Sequence, residues 1–162
     1  MTMDRTWPWI STAARLALAA VWLVAGALKV GDLGASARAV NAYQLMSYDT
    51  AKIVGSVQPF LEIALGLLLL IGLATRLTAG ISAVLLVVFI AGIISAWARG
   101  LQIDCGCFSS GGELAAGKET VYGLDILRDL AFLAFAGILL WKPRTRFSAD
   151  SALMGDIPMG AR

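Results

Sequence analysis

The sequence predicts an all-α integral membrane protein, a four-helix bundle with an amphipathic helical segment between its first and second spans. Three observations carry this. Of 162 residues, 59% are hydrophobic and only 15% are charged, where soluble domains carry about 25% charged residues. The mean hydropathy is +0.78. The apolar residues gather into four runs close to the length of about 20 residues that a helix needs to cross a hydrocarbon core about 30 Å thick. A chain this long makes one domain, expected over residues 1–147. In 148–162, Gly, Pro, Asp and small residues follow one another without periodicity, which predicts a disordered cytoplasmic tail.

The first span is expected over residues 10–30, with 16–28 free of charge between Arg15 and Lys29. A competing reading takes Arg5, the apolar stretch and Ala25-Gly26-Ala27 as a signal peptide with a small-residue cleavage site. Arg15 leads directly into the apolar run, and the run is long enough to span, so a retained helix is expected. The connection from Gly31 to Gln58 is too long for a plain loop. Within it Leu33, Ala37, Val40 and Tyr43 recur at helical spacing, with Asp32 or Ser36 as candidate N-caps. Such a helix either lies in the membrane interface or packs over the bundle.

The second span is expected over 57–74, opening at Pro59, because a first helical turn does not need the missing N–H. The third, over 77–98, carries no charge, and only Thr75 and Arg76 separate it from the second, which requires a tight antiparallel hairpin. The fourth, over 121–141, stops before Lys142-Pro143. Four spans put both termini on one side. Lys142, Arg144 and Arg146, close beside a span, place that side in the cytoplasm, with residues 99–120 outside.

Composition excludes several chemistries. The formal net charge of +2 and the lack of basic runs interleaved with aromatics argue against nucleic acid. There is no histidine, which removes Ser-His-Asp and Cys-His catalysis and His-ligated zinc. Two cysteines cannot supply a four-thiolate metal site within one chain.

The charges within the spans concentrate at one end. Lys29 closes the first span, Glu62 follows Pro59 by three residues, Arg99 closes the third, and Asp125, Arg128 and Asp129 share one face of the fourth. Lys29 and Glu62 fall at similar depth on consecutive spans and could pair. Such a layer either locks the helices together or forms a polar pocket that transfers protons or holds a polar headgroup.

Beside this layer, by sequence, stands the triplet Cys105-Gly106-Cys107, preceded by Asp104. A disulfide between residues i and i+2 needs Cα atoms roughly 4.4–6.8 Å apart. That requires a bent backbone, for which Gly106 supplies the freedom. So small a ring is expected to be oxidising and exchangeable, and it removes too little loop entropy to serve as a staple. Asp104 disfavours a thiolate, while Arg99 or Lys118 folding back would favour it. Two alternatives stay open: plain loop thiols, and soft-metal docking, Cu(I) above all, at Cys105 and Cys107.

These positions together resemble the MauE family of methylamine-utilisation membrane proteins, within the wider DoxX-like group, over residues 12–141. Arg15 and Gly26…Lys29 are similar to the family's opening, Tyr43-Gln44-Leu45 to its mid-loop feature, and Pro59, Leu61-Glu62 and Gly66 to the start of its second span. Gly100 followed by Asp104-Cys105-Gly106-Cys107-Phe108 is the most specific element. The family usually continues with Gly, where this chain has Ser109 before Gly111-Gly112, which moves the turn but leaves the thiols in place.

The resemblance implies a multi-pass protein of a bacterial plasma membrane, associated with maturation of an extracytoplasmic client. For the family's namesake that client is methylamine dehydrogenase, whose small subunit carries many disulfides. The resemblance also implies an extracytoplasmic thioredoxin-like thiol oxidoreductase or a disulfide-bearing client as partner, and, through the DoxX-like relatives, a quinone. On this reading Cys105 and Cys107 are the redox pair of a thiol–disulfide oxidoreductase component. Lys29, Glu62, Arg99, Asp104, Asp125, Arg128 and Asp129 form a supporting polar layer. The alternative is a non-catalytic assembly or transport factor whose cysteine loop docks a client or a metal.

Overall fold

A computed structural model of the chain describes residues 3–104, 112–113, 120–143, 145 and 148–150. In chain order these form α1 (Met3–Val30), α2 (Leu33–Ala42), α3 (Tyr48–Ile71), α4 (Thr75–Ala98), the short strands β1 (Ile103–Asp104) and β2 (Gly112–Glu113), and α5 (Tyr122–Trp141). The protein is predominantly helical, and α1 from Thr6, α3 and α4 are long and apolar enough to cross a membrane. In α4, the most apolar, only 28% of the best 18-residue window is buried inside the protein. Leu77, Val84, Val87, Val88 and Ile94 instead face outward, an arrangement costly in water and natural in lipid.

α1 and α3 pack antiparallel and very closely. A Cβ on Gly26 would stand 2.8 Å from the Pro59 carbonyl oxygen, and one on Gly66 would stand 3.0 Å from the Leu23 backbone nitrogen. Small residues at such contacts let helix backbones approach where no hydrophobic effect drives association. The main core joins α1, α3, α4 and α5 through Leu18, Trp22, Leu65, Leu69, Leu86 and Leu139. Inside it the Trp22 indole N–H donates to Ser82 Oγ at 3.0 Å, a buried polar link from α1 to α4.

α2 takes the packed of its two expected positions. Asp32 caps it by accepting from the Ala35 amide at 2.8 Å, and Ser36, Ala37 and Ala42 are buried. A Cβ on Gly55 of α3 would come within 2.7 Å of the Ala37 backbone, so α2 lies directly on the first half of α3.

Three boundaries differ from the sequence reading. α1 starts at Met3 instead of residue 10. Its extra turns are held by α5, since Ser11 Oγ donates to the Lys142 carbonyl at 2.9 Å and Trp7 meets Trp141 edge-on at 5.9 Å. α3 starts at Tyr48 instead of 57, which puts Pro59 inside the helix. Ser47 sets that start, its hydroxyl accepting from the Thr50 amide at 3.5 Å. Packing under α2 then stabilises the turns that precede the proline.

The third difference concerns only residues 148–150 of the tail read as disordered over 148–162, the rest of which lies outside the described residues. Ser148 is buried, and the Asp150 amide donates to the Gly72 carbonyl at 3.0 Å. The α3–α4 hairpin is tight, but Gly72, Leu73 and Ala74 make its turn, and Thr75 and Arg76, expected there, open α4. Gly72 ends α3 at φ 73°, with the Gly72 and Leu73 amides both donating back to the Leu68 carbonyl, in the manner of a Schellman cap. Ala74 is forced to φ 48° and offers no side-chain cap to α4. Asp150 supplies that cap from the far end of the chain, its carboxylate accepting from the Ala74 and Thr75 amides at 2.7 and 2.8 Å.

Candidate functional site

Lys29 and Glu62 do pair. Lys29 Nζ donates to Glu62 Oε1 at 2.7 Å, with the two side chains 8% and 1% exposed. Gln58, one turn earlier on α3, donates from Nε2 to the same oxygen at 2.8 Å. Glu62 sits well inside α3, not in its first turn. It meets the end of α1 because α3 runs past α1, and α2 covers the overhang.

On α5 the three charges form one cluster. Arg128 Nη1 donates to Asp125 Oδ1 at 3.0 Å, while Nη2 and Nε donate to Asp129 Oδ1 at 3.1 and 3.2 Å. Asp129 is buried, Asp125 nearly so at 14% exposure, and Arg128 is the outermost at 28%. Because α1 and α5 run antiparallel, with Ser11 of α1 meeting Lys142 just after α5, the end of α1 and the start of α5 put the Lys29–Glu62 pair and the α5 cluster at the same end of the bundle. Among the described residues, Glu62 Oε2 and Asp129 Oδ2 are buried and accept no hydrogen bond.

Arg99 does not join this layer. It is exposed at the end of α4, and its guanidinium donates to the Tyr43 and Gln44 carbonyls, tying α4 to the end of α2. Asp104 stands in β1, opposite Gly112 of β2 in an antiparallel register. The hairpin stem is fixed to the head of α5, where the buried Tyr122 hydroxyl accepts from the Ile103 amide at 3.1 Å and donates to the Leu101 carbonyl. Ile103 and Tyr122 pack with Ala42, Ile93 and Ala96 into a second small core. Asp125 follows Tyr122 by less than one turn, so the stem and the charged layer share one end of the bundle. Cys105 and Cys107 lie between β1 and β2 in sequence and outside the described residues.

The sequence profile described as methylamine utilisation protein MauE matches residues 7–142. The chain belongs to the MauE family. No curated protein and no solved structure matches it. The match takes in the charged layer and, at the opposite end of the bundle, the Arg15 and Gly72 part of a second polar cluster that the sequence reading had not assembled. There Arg15 is buried under the α3–α4 turn. A Cβ on Gly72 would fall 1.9 Å from its Nη1. Gln58 was legible as the i−4 neighbour of Glu62. Asp150 carried no local signal.

An open apolar groove of about 760 Å³, between α4 and α5, is lined by Leu77, Gly80, Ile81, Val84, Leu85 and Leu140, with Arg76 at its end. Arg76 and the start of α4 stand about 35 Å along the helix from Arg99 and the hairpin stem.

Proposed function

We propose that this MauE-family protein is a four-span membrane thiol–disulfide exchange component, with both termini cytoplasmic and the Cys105-Gly106-Cys107 loop outside. The reaction is a dithiol–disulfide exchange with a thioredoxin-like protein or a disulfide-bearing client. A thiolate of one pair attacks the partner's disulfide, a mixed disulfide forms, and the second thiol displaces it. Two electrons and two protons pass from the pair that is oxidised to the pair that is reduced, and no further oxidant is needed.

The observation that carries this reading is the tether. The ends of the segment bearing both thiols are paired as β1 and β2, and β1 is bonded to Tyr122 at the head of α5. The two thiols fall between these strands in sequence, and a ring of two cysteines so close together requires a bent backbone. α5 carries the charges Asp125, Arg128 and Asp129 in its first half, which removes it from the set of plainly apolar spans. Their mutual pairing lowers the cost of insertion, which supports α5 as the fourth span.

The test is trapping in intact cells. Cys105→Ser and Cys107→Ser should each abolish exchange, and one should accumulate a mixed disulfide, a higher band that disappears on reduction. A membrane-impermeant thiol reagent should label the pair without permeabilisation. A pair that stays reduced at every accessible potential and retains Cu(I) through purification would replace exchange with metal docking.

A further inference from the structure

The groove between α4 and α5 is open on the outer side of the bundle, and a glycine makes room in it. A Cβ on Gly80 would meet only the Leu140 side chain, at 3.7 Å, so the space beside the α4 backbone is left empty there. Leu77, Ile81, Val84 and Leu85 continue the wall. From Arg76, in the first turn of α4, to Val84 the groove follows the helix for about 12 Å.

The neighbours of the groove fix its level in a membrane. Trp141 follows the wall residue Leu140 and meets Trp7 edge-on, and Lys142 Nζ stands 5.8 Å from the centroid of each ring. Tryptophan rings gather at the headgroup level of a bilayer, and lysine side chains near helix ends reach to it. Arg76 opens the groove at this end, while Val84 and Leu85 lie deeper, at the level of acyl chains.

The charge at the mouth is available. Arg76 is exposed, and among the described residues no hydrogen bond or ion pair engages its guanidinium. The other described charges at this end are occupied or buried. Arg15 lies under the α3–α4 turn, Lys142 faces the two indoles, and the Asp150 carboxylate accepts from the Ala74 and Thr75 amides.

We propose that the groove is a binding site for one anionic phospholipid, with its phosphate on Arg76 and an acyl chain lying along Gly80, Ile81 and Val84. A guanidinium matches phosphate oxygens in charge and in its paired donors, and the apolar walls accept the chain below. A neutral isoprenoid quinone would use the same walls but gain nothing from the cation at the mouth. Neither the thiols nor the side of the membrane on which the termini lie enters this site.

The test is native mass spectrometry of the purified full-length protein, released from detergent after incubation with equal amounts of phosphatidylglycerol and phosphatidylcholine bearing identical chains. The wild type should retain one phosphatidylglycerol in preference to phosphatidylcholine by about fivefold, the scale set by one cation at a membrane surface. Arg76→Gln should remove the preference, and Arg38→Gln, at an exposed cation on α2, should leave it unchanged. Gly80→Leu should fill the groove and cut retention of both lipids. Arg76 is exposed, so its variant keeps the test available where Gly80→Leu fails to fold. Equal retention of the two lipids by the wild type, a preference that survives Arg76→Gln, or retention unchanged in folded Gly80→Leu overturns the proposal. Tighter retention of an added quinone than of phosphatidylglycerol, lost in Gly80→Leu, also overturns it and gives the groove to the neutral lipid.

Discussion

Lys29 and Glu62 meet at 2.7 Å with almost no access to solvent, and that burial decides what each is worth. An exposed ion pair contributes about 0–1 kcal/mol, whereas removing one member of a buried pair costs about 3–5 kcal/mol because its partner is stranded. Lys29→Met should therefore lower the thermal unfolding midpoint in detergent, and the yield of folded protein, by an amount consistent with that larger figure. Asp32→Asn, whose partner Arg38 is 3.8 Å away with both side chains about two-thirds exposed, should leave the midpoint nearly unchanged. Equal effects from the two substitutions would mean that the pair at Lys29 is solvated.

Between helices, contact distance sets the sign of a glycine substitution. At Gly26 an added methyl meets the Pro59 carbonyl oxygen at 2.8 Å and the Ile63 amide nitrogen at 3.1 Å, which cannot yield without parting α1 from α3. At Gly80 it meets only the Leu140 side chain at 3.7 Å, an ordinary contact. Gly26→Ala should destabilise by about 1–3 kcal/mol through overpacking. Gly80→Ala should stabilise by roughly 0.5–1 kcal/mol through reduced backbone freedom. Thermal unfolding of the two variants side by side checks the opposite signs.

The start of α4 is governed by a residue far from it in the chain. Burial works to raise the Asp150 pKa, but hydrogen bonds from Thr75 and Ala74 and the charge of Arg15 outweigh it, so the pKa lies below its ordinary value. A carboxyl depressed in the folded state contributes stability above its unfolded pKa of about 3.9 and loses it as pH falls through the lower folded value. Residues 148–150 should thus stay docked at neutral pH and release only in strong acid. Asp150→Ala should release them at neutral pH, at a cost of about 0.5–2 kcal/mol for the lost cap. Carboxypeptidase digestion of the C-terminus reads both.

Across the whole molecule, the apolar outer faces and the polar groups at the two ends divide the bundle in the way a bilayer divides space. If α5 crosses as the fourth span, N- and C-terminal reporters lie on the same side and the segment between β1 and β2 on the other. Reporter fusions after residue 2 and after residue 150 should therefore give the same compartment. Opposite compartments would leave α5 on the membrane surface, with Asp125, Arg128 and Asp129 facing water.

The sequence by itself determined what depends on local pattern. Charge-free runs marked the spanning helices, helical spacing with Asp32 ahead of it marked α2, and i, i+3 and i+4 spacing put Asp125, Arg128 and Asp129 on one face. Matching depth on neighbouring spans made Lys29 and Glu62 candidates for a pair. Tertiary structure decided whatever depends on distant partners. It ran α3 back to Tyr48 through Pro59, because α2 packs on the added turns. It sent Arg99 to the Tyr43 and Gln44 carbonyls, and it drew Asp150 across 76 residues to cap Ala74 and Thr75. A capping carboxylate stabilises any helix start that it reaches, and nothing in the local sequence of Asp150 records which start that is; only the docking of the chain beside Arg15 and Gly72 does.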